Sequence, residues 1–167
     1  MPSPRTKYGP QSKPLSEVAR ELVLPEGIVS TGWPSVRDKC KLLGILFDPW
    51  QDGAGRAILA KRKDGKYAAG VGGVVLSIPR QVGKTFLIGA IVFALCMLFP
   101  GLKVIWTAHH TKTADETFES MQQTAGMVKV KPHIRRILTG GGKQVIYFKN
   151  GSRIEFGARE SGFGRGK

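Results

Sequence analysis

An apolar run in the middle of the chain constrains its fold most. Residues 86–99 contain no polar side chain, and Pro100 follows them. A helix that crosses a bilayer needs about 20 such residues, so this run of 14 predicts a buried core helix instead, over residues 84–98. A helix that is apolar on nearly every side has to be covered by other elements.

Two short, partly β-branched runs flank this helix. GVVLSI (73–78) precedes it and KVIWTA (103–108) follows it, and both predict buried strands. A further helix is expected after them, with a Thr113–Glu116 capping box. Its predicted inner face and end are formed by Ala114, Phe118, Met121, Ala125 and Gly126. The order strand, helix, strand, helix predicts an α/β fold with a parallel sheet and right-handed crossovers.

Weaker local signals fill in the rest of the chain. Helical spacing predicts a short helix over residues 15–22, and the capping pair Asp48 and Gln51 begins another that runs to about residue 61. Residues 28–40 are interpreted as a loop, and a short basic helix is expected around 133–138. The predicted organisation is a flexible tail with a short helix over residues 1–40, followed by one domain over 41–167.

A β-hairpin is predicted near the end of the sequence. Asn150-Gly151 lies between VIYFK and SRIEF, and such a dipeptide favours a two-residue turn. That turn would pair Tyr147 with Ile154 and Val145 with Phe156.

The charge favours a polyanionic partner. Lys and Arg number 26 against 12 Asp and Glu, for a net charge of +14, and the last 39 residues carry +8 of it. Nucleic acid suits such a surplus, while a merely solvated basic surface is the alternative. Cys40 and Cys96 do not make a disulfide scaffold, and Cys96 is expected to be a buried thiol in a reducing compartment.

The segment SIPRQVGKT (77–85) ends like a phosphate-binding loop, but Ile78 stands where the usual pattern has its first glycine. A strand, a tight turn and an immediate helix would together point backbone N–H groups at an anion. Gly83 would allow close approach, Lys84 would reach the outer phosphates, and the Thr85 hydroxyl would ligate magnesium. Arg80 would stabilise charge on the departing phosphate, or else form a surface ion pair.

Four segments in order resemble phage terminase large subunits, the ATP-driven motors that package DNA into proheads. They are FDPWQ, PRQVGKT, VIWTAHHTKTADETFESM and VIYFKNGSRIEFGARESGFGRG, within residues 42–166. The first is similar to that family's adenine-recognition motif and the second to its variant Walker A loop.

This resemblance implies a RecA-like P-loop ATPase domain of the ASCE type that binds ATP and Mg²⁺. The implied nucleotide contacts are Trp50, Gln51, Arg80, Gln81, Val82, Gly83, Lys84 and Thr85, with Lys84 and Arg80 in catalytic roles. Trp50 filling the core and Gln51 only capping its helix are the alternatives. The implied partners are double-stranded DNA, further terminase subunits in a ring, a small terminase subunit and a portal, in the cytoplasm of an infected bacterium and without a membrane.

The pattern departs from the family at one point. We find no apolar strand that ends in the Asp-Glu pair used for hydrolysis, and no nuclease domain. We therefore expect ATP binding here, and hydrolysis only with a complementary C-terminal polypeptide or a missing segment. The competing hypotheses are another, helicase-like P-loop ATPase, and a basic DNA-binding fragment whose nucleotide site is vestigial.

Overall fold

The computed structural model describes residues 13–79, 82–140 and 143–159. The chain divides into two compact units, Met1–Ile91 and Val92–Lys167, and the boundary falls inside the central helix. Within the described residues, no helix is long and apolar enough to cross a membrane.

The first unit is built mainly from helices. Its elements are α1 (Leu15–Val18), β1 (Ile28–Thr31), α2 (Trp33–Leu42), α3 (Pro49–Ile58), β2 (Ala60–Arg62), a 3₁₀ turn (Gly70–Gly72) and the first half of α4 (Lys84–Leu98). Strands β1 and β2 pair antiparallel.

Trp33 is the centre of the first unit's core. Its side chain is fully buried, and its indole Nε1 donates a hydrogen bond of 2.7 Å to Asp52 Oδ1 on α3. The ring lies against Gly55, where an added Cβ would come within 2.4 Å of it. Helices α2 and α3 therefore approach closely because residue 55 has no side chain.

The second unit is a four-stranded mixed sheet with helices. Its elements are the second half of α4, then β3 (Lys103–Ala108), α5 (Thr111–Gly126), a 3₁₀ turn (Lys131–His133), β4 (Ile134–Leu138), β5 (Gln144–Phe148) and β6 (Arg153–Ala158). The strand order is β3-β6-β5-β4, in which β3 and β6 are parallel and the other neighbours antiparallel.

Aromatic contacts join the helices of this unit to the sheet. Phe93 of α4 meets Phe148 at 5.5 Å between ring centroids, and Phe118 of α5 meets Phe156 at 5.1 Å. Asn150 Nδ2 donates to the carbonyl oxygen of Cys96 at 2.7 Å, so the end of α4 is also tied to the β5–β6 turn.

The strongest sequence signals are confirmed. Helix α4 and strand β3 have the predicted bounds, and α5 ends at Gly126 with its predicted inner face buried. The N-terminal capping box of α3 is present. Cys40 and Cys96 are free and buried, and burial raises the pKa of each thiol to about 12.

The predicted strand at 73–78 is wrong. These residues form no strand, and Val74 and Val75 are 50% and 91% exposed. An apolar, β-branched run becomes a strand only where a neighbouring strand accepts it. The α/β class is confirmed, but the parallel strand that should lead into the phosphate loop is not there, and β3–β6 is the one parallel pair among the described strands.

Several other predicted elements differ from those in the structure. Residues 28–40 are not a loop, because they contain β1 and most of α2, and residues 134–138 form strand β4 where a helix was expected. The predicted helix over 15–22 ends at Val18, and α3 ends at Ile58, followed by β2. Helix α5 begins at Thr111 with His110 in the N-cap position, so the predicted box at Thr113 is wrong. The expected mobile tail falls largely on residues 1–12, outside the described residues.

The hairpin is confirmed, but its predicted register is off by one. Ile146 pairs with Ile154 and Tyr147 with Arg153. The turn has three residues, 149–151, with Gly151 at φ +87° and its N–H bonded to the carbonyl oxygen of Phe148. A left-handed glycine at the end of a three-residue turn accounts for the shift.

We predict that Gly55→Ala destabilises the first unit by about 1 to 3 kcal/mol, because the new methyl group overpacks the core against the Trp33 ring. Urea unfolding measures the change. Gly126→Ala is the matched helical control, since an added Cβ there meets nothing within 4 Å, and it should leave stability unchanged or raise it by up to about 1 kcal/mol. Equal effects of the two substitutions would contradict the proposed contact.

We predict that Asp52 makes the stability of the first unit depend on pH in the acidic range. Burial raises its pKa, but the hydrogen bonds from Trp33 and Arg56 and the charges of Arg56 and Arg37 outweigh burial, so the folded-state pKa is lowered. The stabilisation is present above the unfolded pKa, about 3.9, and is lost as pH falls through the folded pKa. Asp52→Asn should cost about 1 kcal/mol at neutral pH, and this difference from the wild type should shrink towards zero below pH ~4. A difference that is constant with pH would contradict this.

Candidate nucleotide-binding site

Gly83 forms the junction between the predicted phosphate loop and α4. Its carbonyl oxygen accepts the N–H of Leu87 at 3.0 Å, so Gly83 occupies the N-cap position of the helix, and its φ is +93°. A glycine cap has no side chain to accept hydrogen bonds from the first-turn N–H groups. These groups can therefore donate to another acceptor.

Gln51 connects α3 to this junction. Its Oε1 accepts the backbone N–H of Asp48 at 2.9 Å, and its Nε2 donates to the carbonyl oxygen of Gly83 at 3.4 Å. The side chain is only 3% exposed. An added Cβ on Gly83 would lie 2.8 Å from the same Nε2. This position therefore favours glycine over other residues for two reasons, its positive φ and the space that Gln51 occupies.

Asp48 and Trp50 complete the α3 side of the site. Asp48 is the N-cap of α3 and is buried, and burial raises the pKa of its carboxyl group. Trp50 lies half-buried in the first turn of α3, next to Gln51. The capping role that was the alternative for Gln51 is thus observed, and its contact with the loop comes in addition.

The other predicted site residues that the structure describes lie at the start of α4 or just before it. Lys84 and Thr85 are exposed in the first turn of α4, and Val82 is half-buried just before it. Arg80 and Gln81 lie outside the described residues. Gly83 and Gln51, which are 32 positions apart in sequence, are brought together.

Two aromatic residues that the sequence did not single out hold the helix start in place. Phe47 packs against Trp33 at 5.0 Å and against Phe86 at 6.1 Å between ring centroids. A row of rings thus runs from the core of the first unit to the first turn of α4. The signal was hidden, because Phe86 is one residue of a uniformly apolar run and Phe47 precedes a helix cap.

Within the described residues, no cluster of three or more His, Cys, Asp or Glu side chains is placed to hold a metal ion. His109 and His110 follow β3, with their rings 4.2 Å apart. The metal role predicted for Thr85 depends on a bound nucleotide and stays a prediction.

The fold is of the α/β class, and helix α4 begins with a glycine N-cap followed by an exposed lysine. The family described as "Terminase large subunit, T4likevirus-type, N-terminal" matches residues 75–167, which are 93 of the 167 residues. The chain belongs to this phage terminase family, so the predicted family resemblance is confirmed. Three of the four motifs lie within the matched residues, and FDPWQ lies outside them. No curated protein and no solved structure matches the chain significantly.

We predict that Gly83→Ala destabilises the first unit by about 1 to 2 kcal/mol from backbone strain, and by more from the clash with Gln51. Gly65→Ala is the matched control, because Gly65 has φ +78° and nothing within 4 Å of an added Cβ. It should show the strain alone.

A double-mutant cycle separates the two causes. Gln51→Ala should lessen the cost of Gly83→Ala by about 0.5 kcal/mol or more and should not change the cost of Gly65→Ala, as measured by urea unfolding. Zero coupling between positions 51 and 83 would show that the Gln51 side chain does not occupy this position in solution.

Proposed function

We propose that this chain is the ATP-binding part of a packaging motor, and that ATP with Mg²⁺ binds at the loop that ends in Gly83. In this proposal the first-turn N–H groups of α4 and the Lys84 ammonium hold the phosphates, and the Thr85 hydroxyl helps to hold Mg²⁺. Arg80, Gln81 and Val82 complete the loop, with Arg80 stabilising charge on the transferred phosphate.

The glycine N-cap of α4 is the observation that carries this proposal. Ser, Thr, Asp and Asn at the N-cap bond the first-turn N–H groups with their side chains, whereas Gly83 has no side chain that could do so. The positive end of the helix dipole favours an anion at this position. Lys84 and Thr85 are exposed there, so both side chains are accessible to a ligand.

The nucleotide base belongs on the α3 side of the loop in this proposal. Gln51 contacts Gly83, and Trp50 lies within the same capping turn, so a base beside them would lie close to the phosphates. Gln51 already bonds Asp48 and Gly83. The amide keeps a second Nε2–H and a second lone pair on Oε1, so it can bond the adenine edge while it retains both of these contacts.

The motor itself is an assembly in this proposal. Family membership favours a terminase role over another helicase-like ATPase. We infer that hydrolysis uses carboxylates from a further terminase polypeptide or segment, and that ring subunits, a small terminase subunit, a portal and double-stranded DNA are the partners, in the cytoplasm of the infected host. Mixing the chain with a complementary C-terminal terminase polypeptide and measuring DNA-stimulated ATPase tests this, and no gain over the separate chains would contradict it.

One observation favours a second candidate, a DNA-binding segment with a vestigial nucleotide site. Residues 73–78 do not form the strand that usually delivers a phosphate loop to the edge of a sheet. This candidate predicts DNA binding without measurable nucleotide binding.

We predict that Lys84→Ala weakens ATP–Mg²⁺ binding by about 10- to 100-fold, because a charge-assisted hydrogen bond contributes about 1.5 to 3 kcal/mol. Calorimetric titration of the folded chain measures the affinity. Lys66→Ala removes an exposed lysine from a turn distant in sequence and should leave the affinity unchanged.

Magnesium dependence provides a second readout. Thr85→Val should weaken binding of ATP with Mg²⁺ and leave binding without Mg²⁺ nearly unchanged, since only the metal contact is lost.

Unchanged affinity in Lys84→Ala would place the nucleotide-binding site elsewhere. Absence of binding in the wild-type chain would favour the vestigial site.

A further inference from the structure

Acidic residues are missing from one long segment of the second unit. Between Glu119 and Glu155 there is no Asp or Glu, while seven Lys and Arg residues occur. One of them, Arg153, is bonded to Glu155 at 2.7 Å. We call the other six the basic edge: Lys129, Lys131, Arg135, Arg136, Lys143 and Lys149. All six are exposed, and none is within ion-pair distance of a described carboxylate.

Strand β4 displays the two arginines of this group. It is the last strand in the order β3-β6-β5-β4, so one of its edges pairs with no described strand. The register with β5 shifts between Ile134 and Arg136, which makes Arg135 the extra residue of a β-bulge. Side chains normally alternate along a strand, but with this bulge both Arg135 and Arg136 are exposed.

Two contacts fix the positions of Arg136 and Lys149 beside this strand. The Arg136 guanidinium lies 4.6 Å from the centroid of the Tyr147 ring on β5, which supports its planar head against the sheet. The backbone N–H of Lys149 donates to the carbonyl oxygen of His133 at 2.9 Å, so the hairpin turn and its lysine lie beside the start of β4.

We propose that the basic edge binds the phosphate backbone of duplex DNA. Six uncompensated cations on one strand edge and its adjoining turns repel one another, and a polyanion relieves that repulsion while releasing its own counterions. The five residues of β4 extend about 13 Å at 3.3 Å per residue, which spans about four nucleotide steps at 3.4 Å per step. Contacts to phosphates carry no sequence information, so this binding should be independent of sequence.

This proposal deepens the proposed function, because the motor must hold the DNA that it moves, but the two are measured separately. The competing explanation is that the charges and the bulge only prevent edge-to-edge aggregation of β4, as in many edge strands.

Titration of a labelled 20-base-pair duplex from about 50 to 200 mM salt, without nucleotide, tests the proposal. Arg135→Gln/Arg136→Gln should lower the salt slope of log affinity by about 1.8, or about 0.9 per cation. Over that fourfold salt range, the variant should then lose about 12-fold less affinity than the wild type. Two duplexes of different sequence should give the same result.

Two matched variants control for charge and fold. Lys63→Gln/Lys66→Gln removes the same charge from exposed positions outside the basic edge and should bind like the wild type. Arg135→Lys/Arg136→Lys keeps both charges and should retain the wild-type slope. Circular dichroism and urea unfolding verify that each variant is folded, and ATP titration of the same samples shows whether the nucleotide site is intact.

Several outcomes would overturn the proposal. These are a wild-type chain that does not bind duplex DNA, a glutamine variant that binds like the wild type, equal losses in both glutamine pairs, or an effect confined to single strands. Aggregation of the glutamine variant, measured by light scattering, with unchanged DNA affinity would instead assign the arginines to protection of the strand edge.

Discussion

Helix α4 has no polar side chain after Thr85, so each of its faces has to be removed from water. Its first half is held in the first unit, where the Cys40 thiol donates to the carbonyl oxygen of Ala90 at 3.6 Å, and its second half in the second unit, where Phe93 meets Phe148. The exposed pair Lys84 and Thr85 lies in the first turn of this helix, although residues 73–78 before it form no strand.

Gln51 shows how one side chain can serve both a fold and a site. As a capping residue it fixes the start of α3, and through the carbonyl oxygen of Gly83 it fixes the start of α4. The two helix starts are thereby held together by a single amide. A ligand that displaced the Gly83 contact would loosen that link while adding bonds of its own, so in the proposed function ligand binding would be coupled to the local geometry of the loop.

The sequence predicted the elements that one strong local signal determines. It did not predict the elements that depend on pairing with another part of the chain. The length of the apolar run fixed α4, and the spacing of Ala114, Phe118 and Met121 fixed the inner face of α5. The strand β4 could not be told from a helix, because five residues hold no full period of either pattern and pairing with β5 decides. The hairpin register depended on a left-handed Gly151, which fits a two- or a three-residue turn equally well. At the candidate site, Gly83 and Lys84 were predicted from the loop sequence. The hydrogen bond from Gln51 to Gly83 could be found only from the tertiary structure.

Composition alone could not have located the basic edge. Residues 1–91 carry 14 Lys and Arg against 7 Asp and Glu, and residues 92–167 carry 12 against 5, so each unit has a net charge of +7. What distinguishes the second unit is segregation of charge. Its carboxylates at 115, 116 and 119 lie on α5, which packs on β3 and β6, whereas the uncompensated cations lie at the β4 end of the same sheet. A polyanion is attracted to such a local surplus of cations, which the equal net charges of the two units would not reveal.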